Sequence, residues 1–373
     1  MFYHQLLRTL LFRLPPEKAH ELALRTLALA LDSSHAQRAV AKRFHRQPFG
    51  ELRRFGLSFS NPVGLAAGFD KNGVATHALA ALGFGFVEVG TVTHSAQPGN
   101  PQPRLFRLPA DKALINRQGF NNKGALALAS RLGRKRPACV LGVNIGKSRK
   151  VEIEDAIPDY LASFETIYNV ADYVAINISS PNTPNLRELQ QPRHLEALLT
   201  ALQKRNREFA ESRAHTPLPL LVKISPDLTM RELEEAVSVA LRTKVAGIIA
   251  TNTTTSRTGL RTSPSEINSY GAGGLSGVPL RERATSVIAS VRRLAGESLT
   301  IVGVGGIFNA QDAWEKISAG ASLVQLYTGF VYEGVSIARA INDGLLEIMH
   351  KEGVNSFDKA VGCRAEELSA VGK

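Results

Sequence analysis

Apolar residues recur every four positions at the start of the chain: Phe2 and Tyr3, Leu6 and Leu7, then Leu10 and Leu11. That spacing lays one broad apolar stripe along a helix. Pro15-Pro16 stops this helix and suits the first turn of the next. Residues 17–31 read as that second helix, with Leu22, Ala23, Leu27, Ala30 and Leu31 on one side. From residue 62 the rhythm changes. Short apolar or β-branched runs recur at Val63–Ala67, Phe86–Val89, Val140–Ile145, Tyr173–Ile178, Leu220–Ile224, Gly247–Ala250, Thr300–Val304 and Leu323–Leu326. Helix-compatible stretches lie between most of them, at 72–82, 120–133, 155–170, 192–212, 230–243, 281–295, 310–319 and 335–349. Eight strand–helix units in succession predict an α/β fold, a (β/α)8 TIM barrel. Near-continuous apolar strands also suit a parallel sheet buried on both faces. A doubly wound sheet is the alternative, but it rarely needs polar groups at every strand exit.

Two stretches break the alternation. Residues 91–118 are rich in Pro, Gly and Arg, and residues 252–280 carry Gly271, Gly273, Gly274 and Gly277. Both read as long loops without secondary structure, which in a compact domain serve as lids or binding loops.

Composition narrows the class. The 373 residues are 44% hydrophobic and 21% charged, as in a globular protein. Two cysteines, Cys139 and Cys363, leave no disulfide framework and no cysteine zinc cluster. No apolar stretch reaches the length of a membrane span. Arg8 and Arg13 interrupt the apolar N-terminus, which does not read as a secretory signal. The net charge is +12, and the first 50 residues alone carry +5. Nucleic acid, an anionic membrane surface and anionic ligands are therefore all open as partners. The N-terminal helices read equally as a hairpin docked on the main domain or as an interfacial anchor.

Chemistry in a barrel sits on the loops after the strands. Those exits read A-A-G-F-D-K-N (66–72), G-T-V-T (90–93), N-I-G-K (144–147), N-I-S-S-P-N-T-P (177–184), K-I-S-P-D (223–227), T-N-T-T (251–254), G-V-G-G (303–306) and Y-T-G (327–329). No acidic or histidine cluster has metal spacing. Gly303, Gly305 and Gly306, beside Tyr327, Thr328 and Gly329, stand where barrels bind phosphate through backbone N–H groups. Asn116, Asn144, Asn177, Asn182 and Asn252 supply uncharged donors and acceptors for a heterocycle with carbonyls and ring N–H groups. Lys71 and Lys223 could pair with an anion or form a Schiff base. Ser180 has no nucleophile elbow around it and suits a base relayed through water beside a strong electron sink. A barrel enzyme with a phosphate-bearing ligand and an amide-rich pocket is as far as these residues lead. A barrel aldolase using Lys71 or Lys223 as Schiff base and a basic nucleic-acid or membrane-binding module are the competing readings.

Taken together, V-G-L-A-A-G-F-D-K-N (63–72), G-F-G-F-V-E-V-G-T-V-T (83–93), P-R-L-F-R-L (103–108), N-R-Q-G-F-N-N (116–122), G-V-N-I-G-K (142–147), A-I-N-I-S-S-P-N-T-P (175–184), I-A-T-N-T-T (249–254), G-G-L-S-G (273–277), I-V-G-V-G-G-I (301–307) and G-A-S-L-V-Q-L-Y-T-G (320–329) closely resemble the quinone-linked, membrane-associated class of dihydroorotate dehydrogenases. The resemblance runs from about residue 1 to 345. It implies an FMN-dependent oxidation of (S)-dihydroorotate to orotate in pyrimidine biosynthesis, with a quinone as acceptor. Matched motif by motif, Ala66, Ala67, Gly68, Thr91, Asn144, Asn177, Lys223, Thr251, Gly277, Gly306, Tyr327 and Thr328 would hold FMN. Lys71, Asn116, Arg117, Gln118, Gly119, Phe120, Asn177, Asn182, Asn252 and Thr253 would hold the substrate. Ser180 would be the catalytic base, where the soluble class has Cys, and His20 and Arg107 would lie near the quinone. Gln118 replaces the Met expected in the substrate loop. The resemblance also implies three regions: a membrane and quinone module at 1–45, the FMN barrel at 46–350 and a tail at 351–373. It implies a monomer that binds no nucleic acid and sits on the cytoplasmic face of the bacterial inner membrane.

Overall fold

The computed structural model describes residues 7–45 and 49–370. Phe2, Tyr3 and Leu6 of the predicted stripe lie outside the described residues. Helix α1 (Arg8–Arg13) is followed by Pro15 in extended backbone, and Pro16 opens α2 (Pro16–Ala30) at its first turn. A third helix, α3 (Ser34–Phe44), was not evident from periodicity; the Ser33 hydroxyl accepts the Ala36 N–H and caps it. Strands β1 (Leu52–Arg54) and β2 (Leu57–Phe59) form a small antiparallel hairpin.

The barrel begins at β3 (Val63–Leu65), α4 (Thr76–Ala81) and β4 (Phe86–Val92). Helix α4 starts four residues later than periodicity suggests. Asp70 takes the N–H groups of Val74 and Ala75 at 2.8 and 2.7 Å, which holds the preceding residues in a turn. Next come β5 (Leu105–Leu108), β6 (Ala113–Asn116) and α5 (Ala125–Leu132). Helix α5 also starts late, because Gly119, Phe120 and Gly124 hold left-handed φ angles of 67°, 53° and 86°. The alternation continues through β7 (Val140–Gly146), α6 (Ala156–Ile167), β8 (Tyr173–Asn177), α7 (Pro192–Arg213), β9 (Leu220–Ile224), α8 (Met230–Arg242) and β10 (Gly247–Ala250). After α9 (Pro264–Tyr270) and β11 (Gly274–Gly277) it resumes with α10 (Arg281–Ala295), β12 (Thr300–Val304), α11 (Ala310–Ala319) and β13 (Leu323–Leu326). Helices α12 (Thr328–Glu333), α13 (Ile337–Lys351), α14 (Phe357–Ala360) and α15 (Ala365–Ala370) complete the chain.

Strands β3, β4, β7, β8, β9, β10, β12 and β13 close into one parallel barrel, the predicted (β/α)8 fold. Every residue of β4, β8, β9 and β10 is buried, as double-sided cover requires. Large rings fill the interior over glycines. A Cβ on Gly142 would stand 2.1 Å from the Tyr173 ring, and one on Gly64 would stand 2.4 Å from Phe86.

The two long loops are not structureless. Strand β6 pairs antiparallel with both β5 and β11, so the insertions of residues 91–118 and 252–280 share one three-stranded sheet. Each strand is only four residues long; β5 and β6 form a local hairpin, and the third strand, β11, comes from a distant part of the chain. No local window carries that signal. Leu108, Ala113, Ile115 and Leu275 form its apolar core. The C-terminal segment is likewise folded, with α15 packed on α10. Among the described residues no helix is long and apolar enough to cross a membrane.

Candidate functional site

A cleft opens at the C-terminal end of the barrel strands, beneath the three-stranded sheet. It encloses about 1030 Å³ of space between atoms, counting its open mouth. Ala66, Ala67 and Gly68 line it from the exit of β3, and Thr91 from that of β4. Asn177 and Ser180 come from β8, Lys223 from β9, and Thr251, Asn252 and Thr253 from β10. Gly305, Gly306, Tyr327, Thr328 and Gly329 come from the last two exits. The small sheet adds Asn116, Ser276 and Gly277, and the loop after β6 adds Gln118, Gly119 and Phe120. Lys71 and Asn182 also line it, and among the described residues the wall contains two lysines and no carboxylate.

Two of the predicted residues sit differently. Asn144 does not line the cleft; it is fully buried behind Thr91, whose hydroxyl donates to its Oδ1 at 2.6 Å. Arg117 turns its guanidinium outward. It lies 4.8 Å from the Phe106 ring centroid and donates to the Pro103 carbonyl at 3.0 Å and to the Tyr270 carbonyl. Its backbone is engaged as well: the N–H donates to the Arg104 carbonyl at 2.9 Å and the carbonyl accepts Asn100 Nδ2 at 2.8 Å.

The asparagines form an ordered row. Asn177 Nδ2 donates to the Thr91 hydroxyl at 2.9 Å, and Asn252 Nδ2 donates to Asn177 Oδ1 at 3.2 Å. Asn182 Nδ2 reaches Asn116 Oδ1 at 3.2 Å across the cleft. Ser180 Oγ accepts the Asn182 backbone N–H at 3.3 Å, and no His or carboxylate bonds to it among the described residues. That arrangement does not make Ser180 a conventional triad nucleophile.

Burial depresses both lysines. Lys71 is brought down to about 8 by desolvation, with Glu17 opposing the shift and Arg104 adding to it. Lys223 is lowered by desolvation, with the Glu88 charge opposing. A lysine held this way gains most from an anionic ligand.

A second cavity, of about 670 Å³ on the same basis, lies between α1, α2 and the barrel. Its walls are mainly apolar, from Leu11, Phe12, Ala19, Ala23, Leu27, Phe69, Phe330 and Val331. It shares Leu105, Leu114 and Tyr327 with the first cleft, so the two meet there. The structure brings His20 and Arg107 together in this second cavity. Arg107 lies 4.5 Å from the Phe12 ring centroid and donates to the Leu14 carbonyl at 3.0 Å. His20 is half-buried, and desolvation followed by the Lys71 charge pushes it down to about 4.

Several contributors escaped the sequence reading. Leu105, Leu114 and Ser276 belong to the small sheet that was not foreseen. The ion pair of Arg104 with Glu17, at 2.7 Å, fastens α2 to the roof of the cleft. Glu88 lies beneath the floor, and its signal was available: one acidic residue inside an otherwise apolar strand, F-V-E-V.

The family model for dihydroorotate dehydrogenase matches residues 51–349. The dihydroorotate dehydrogenase (quinone) of Gloeobacter violaceus is 50% identical over 97% of this chain and 99% of that protein. Those of Chloroflexus aurantiacus and Mycobacterium marinum are 51% and 46% identical, over 93% and 97% of this chain and 96% and 98% of theirs. Two crystal structures of the Eimeria tenella dihydroorotate dehydrogenase superpose on it. The ligand-free form gives a TM-score of 0.83 at 38% identity, covering 93% of this chain and 99% of that one. The complex with ferulenol gives 0.82 at 37%, covering 93% and 95%.

Proposed function

We propose the chemistry of this chain from one premise: it belongs to the dihydroorotate dehydrogenase family. Its activity is the oxidation of dihydroorotate to orotate with a quinone as acceptor, a step of pyrimidine biosynthesis. One observation supports this most: a cleft walled by two lysines and a set of amides, with no carboxylate among the described residues, meets an apolar cavity at Tyr327.

The residues present fit FMN. Gly277, Gly305 and Gly306 leave backbone free to approach a phosphate, and the Ser276 and Thr328 hydroxyls, 2.8 Å apart, stand beside them. Lys223, Thr91, Asn177, Thr251 and the Ala66–Gly68 segment would hold the ring system, with Asn144 supporting Thr91 from behind. When bound, FMN supplies the hydride acceptor and the route for electrons to the quinone.

The protein's own part is to hold and deprotonate the substrate. Lys71 pairs with the substrate carboxylate. Asn116, Asn182, Asn252 and Thr253 hold its ring carbonyls and N–H groups, and Gln118, Gly119 and Phe120 close over it. Ser180 Oγ takes the proton from C5 while the hydride leaves C6. Two hydrogens thus depart and the ring double bond of orotate forms. Because no His or carboxylate bonds to the Ser180 hydroxyl among the described residues, its proton passes on through water.

The second cavity is the quinone site, with His20 and Arg107 in its wall. Residues 1–45 are the module that meets the membrane. Leu7, Leu10, Leu22 and Leu29 are 42%, 57%, 51% and 80% exposed in this region, and the +5 charge of the first 50 residues favours an anionic surface. The protein acts as a monomer on the cytoplasmic face of a bacterial inner membrane. The test is to isolate the protein and measure its flavin content and its turnover of dihydroorotate with a long-chain quinone. One FMN per chain and quinone-dependent turnover are expected. A colourless protein that does not take up FMN would overturn the reading.

A further inference from the structure

Glu88 sits in the middle of β4 with its side chain fully buried. Asn144 Nδ2 donates to its Oε1 at 2.8 Å. The Tyr173 hydroxyl and Gln325 Nε2 both donate to its Oε2 at 2.9 Å. An ionised carboxylate can only accept, so it dictates which end of each neighbouring amide turns toward it. With its Nδ2 held by Glu88, Asn144 must present Oδ1 to the other side. There it accepts the Thr91 hydroxyl at 2.6 Å and Asn177 Nδ2 at 3.3 Å. Asn177 Oδ1 is thereby left to Asn252, whose Nδ2 donates to it at 3.2 Å. The second Asn252 bond, to the Ser179 hydroxyl at 3.0 Å, fixes that amide against the loop carrying Ser180. One acceptor in the barrel core thus sets the sense of three amides that end on the wall of the cleft.

We propose that Glu88 is a positioning residue for this site: its carboxylate fixes the amide directions of Asn144, Asn177 and Asn252. Reversing any amide in the row would offer the ligand a donor where it meets an acceptor. Low dielectric makes such a reversal expensive in a bound complex and the ordered row correspondingly useful. Burial lowers the Lys223 ammonium, and the Glu88 charge opposes that shift. Tyr173 shares the carboxylate but stands off the asparagine row, which gives an internal control.

The proposal rests on reading the cleft as the FMN and orotate site. The test compares E88Q with Y173F in the FMN-loaded protein, by titrating orotate against the flavin spectrum alongside thermal unfolding. E88Q keeps the shape of the side chain but can face Asn144 with either end of its amide. A charge-assisted bond is lost from the row, so orotate affinity should fall roughly tenfold or more, whereas Y173F should stay within about twofold of wild type. Orotate affinity within that same factor in E88Q, or equal losses in both variants, would overturn the proposal. Should E88Q not fold, E88D is read instead, since its shortened carboxylate cannot span Asn144 and Gln325; wild-type affinity there overturns the proposal and loss supports it. Wild-type protein that holds no flavin and binds no orotate would sink the functional reading first, and this proposal with it.

Discussion

His20 on α2 donates its Nε2–H to the carbonyl of Phe69 at 2.7 Å, which ties the N-terminal helices to the strand exit that floors the cleft. A carbonyl can only accept, so the neutral ring carries its proton on Nε2 and leaves Nδ1 as an acceptor. The ring also meets Phe69 edge-on and stacks toward Tyr327, the residue shared by both cavities.

Because burial holds His20 near 4, the ring stays neutral between about pH 5 and 8. His20→Ala should slow reoxidation of the reduced protein by a long-chain quinone while leaving reduction by dihydroorotate near wild type. The quinone step should show no break from this ring in that pH window. A break near 6.5 that disappears in His20→Ala would contradict the assignment.

Lys71 gives a second pH signature. It is cationic below about 8 and neutral above, where an ordinary lysine stays charged to 10.5. Orotate affinity should therefore weaken as pH rises through about 8. Lys71→Ala should bind orotate weakly at all pH values, by an amount matching a charge-assisted bond of roughly 1.5–3 kcal/mol, and should retain its flavin. Isothermal titration at several pH values checks both, and loss of flavin with unchanged orotate affinity would move Lys71 to the cofactor.

Glu17 is set against Arg104 with side chains only 15% and 9% exposed. Arg104 also donates to the carbonyls of Pro98 and Asn100. Glu17→Ala leaves a buried guanidinium without its counter-charge, which costs roughly 3–5 kcal/mol in such settings. Thermal unfolding should shift down by several degrees. An unchanged midpoint would mean that α2 is held to the barrel by its apolar face alone.

How much of this was legible in the sequence follows from how local each signal is. The barrel strands announced themselves because each is a short apolar run, and their exits because Asn177, Ser180, Lys223 and Thr251 stand at run ends. Strand β11 was hidden because Gly274 pairs with Asn116 across more than a third of the chain, and the β5–β6 hairpin because each of its strands is only four residues long. Arg117 matched a substrate motif, yet its side chain is engaged by Phe106 and Tyr270, elements that only the unforeseen sheet and α9 bring near. Helix α9 did carry a readable start, Ser263 with Glu266 three residues on. Glu88 shows in the sequence as one acid inside an apolar strand, but its role lies in Asn144, Tyr173 and Gln325, which arrive from three other strands.

The central claim is that Ser180 deprotonates dihydroorotate in a site that holds FMN. Stopped-flow mixing of the anaerobic protein with dihydroorotate, following loss of the flavin's visible absorption, tests it most directly. Wild-type protein should bleach in a single turnover and form orotate. Ser180→Ala should keep its FMN and bind orotate but bleach about 10²–10⁴-fold more slowly, the usual loss for a missing general base. Bleaching at the wild-type rate in Ser180→Ala, or none in the wild-type protein, would contradict the account.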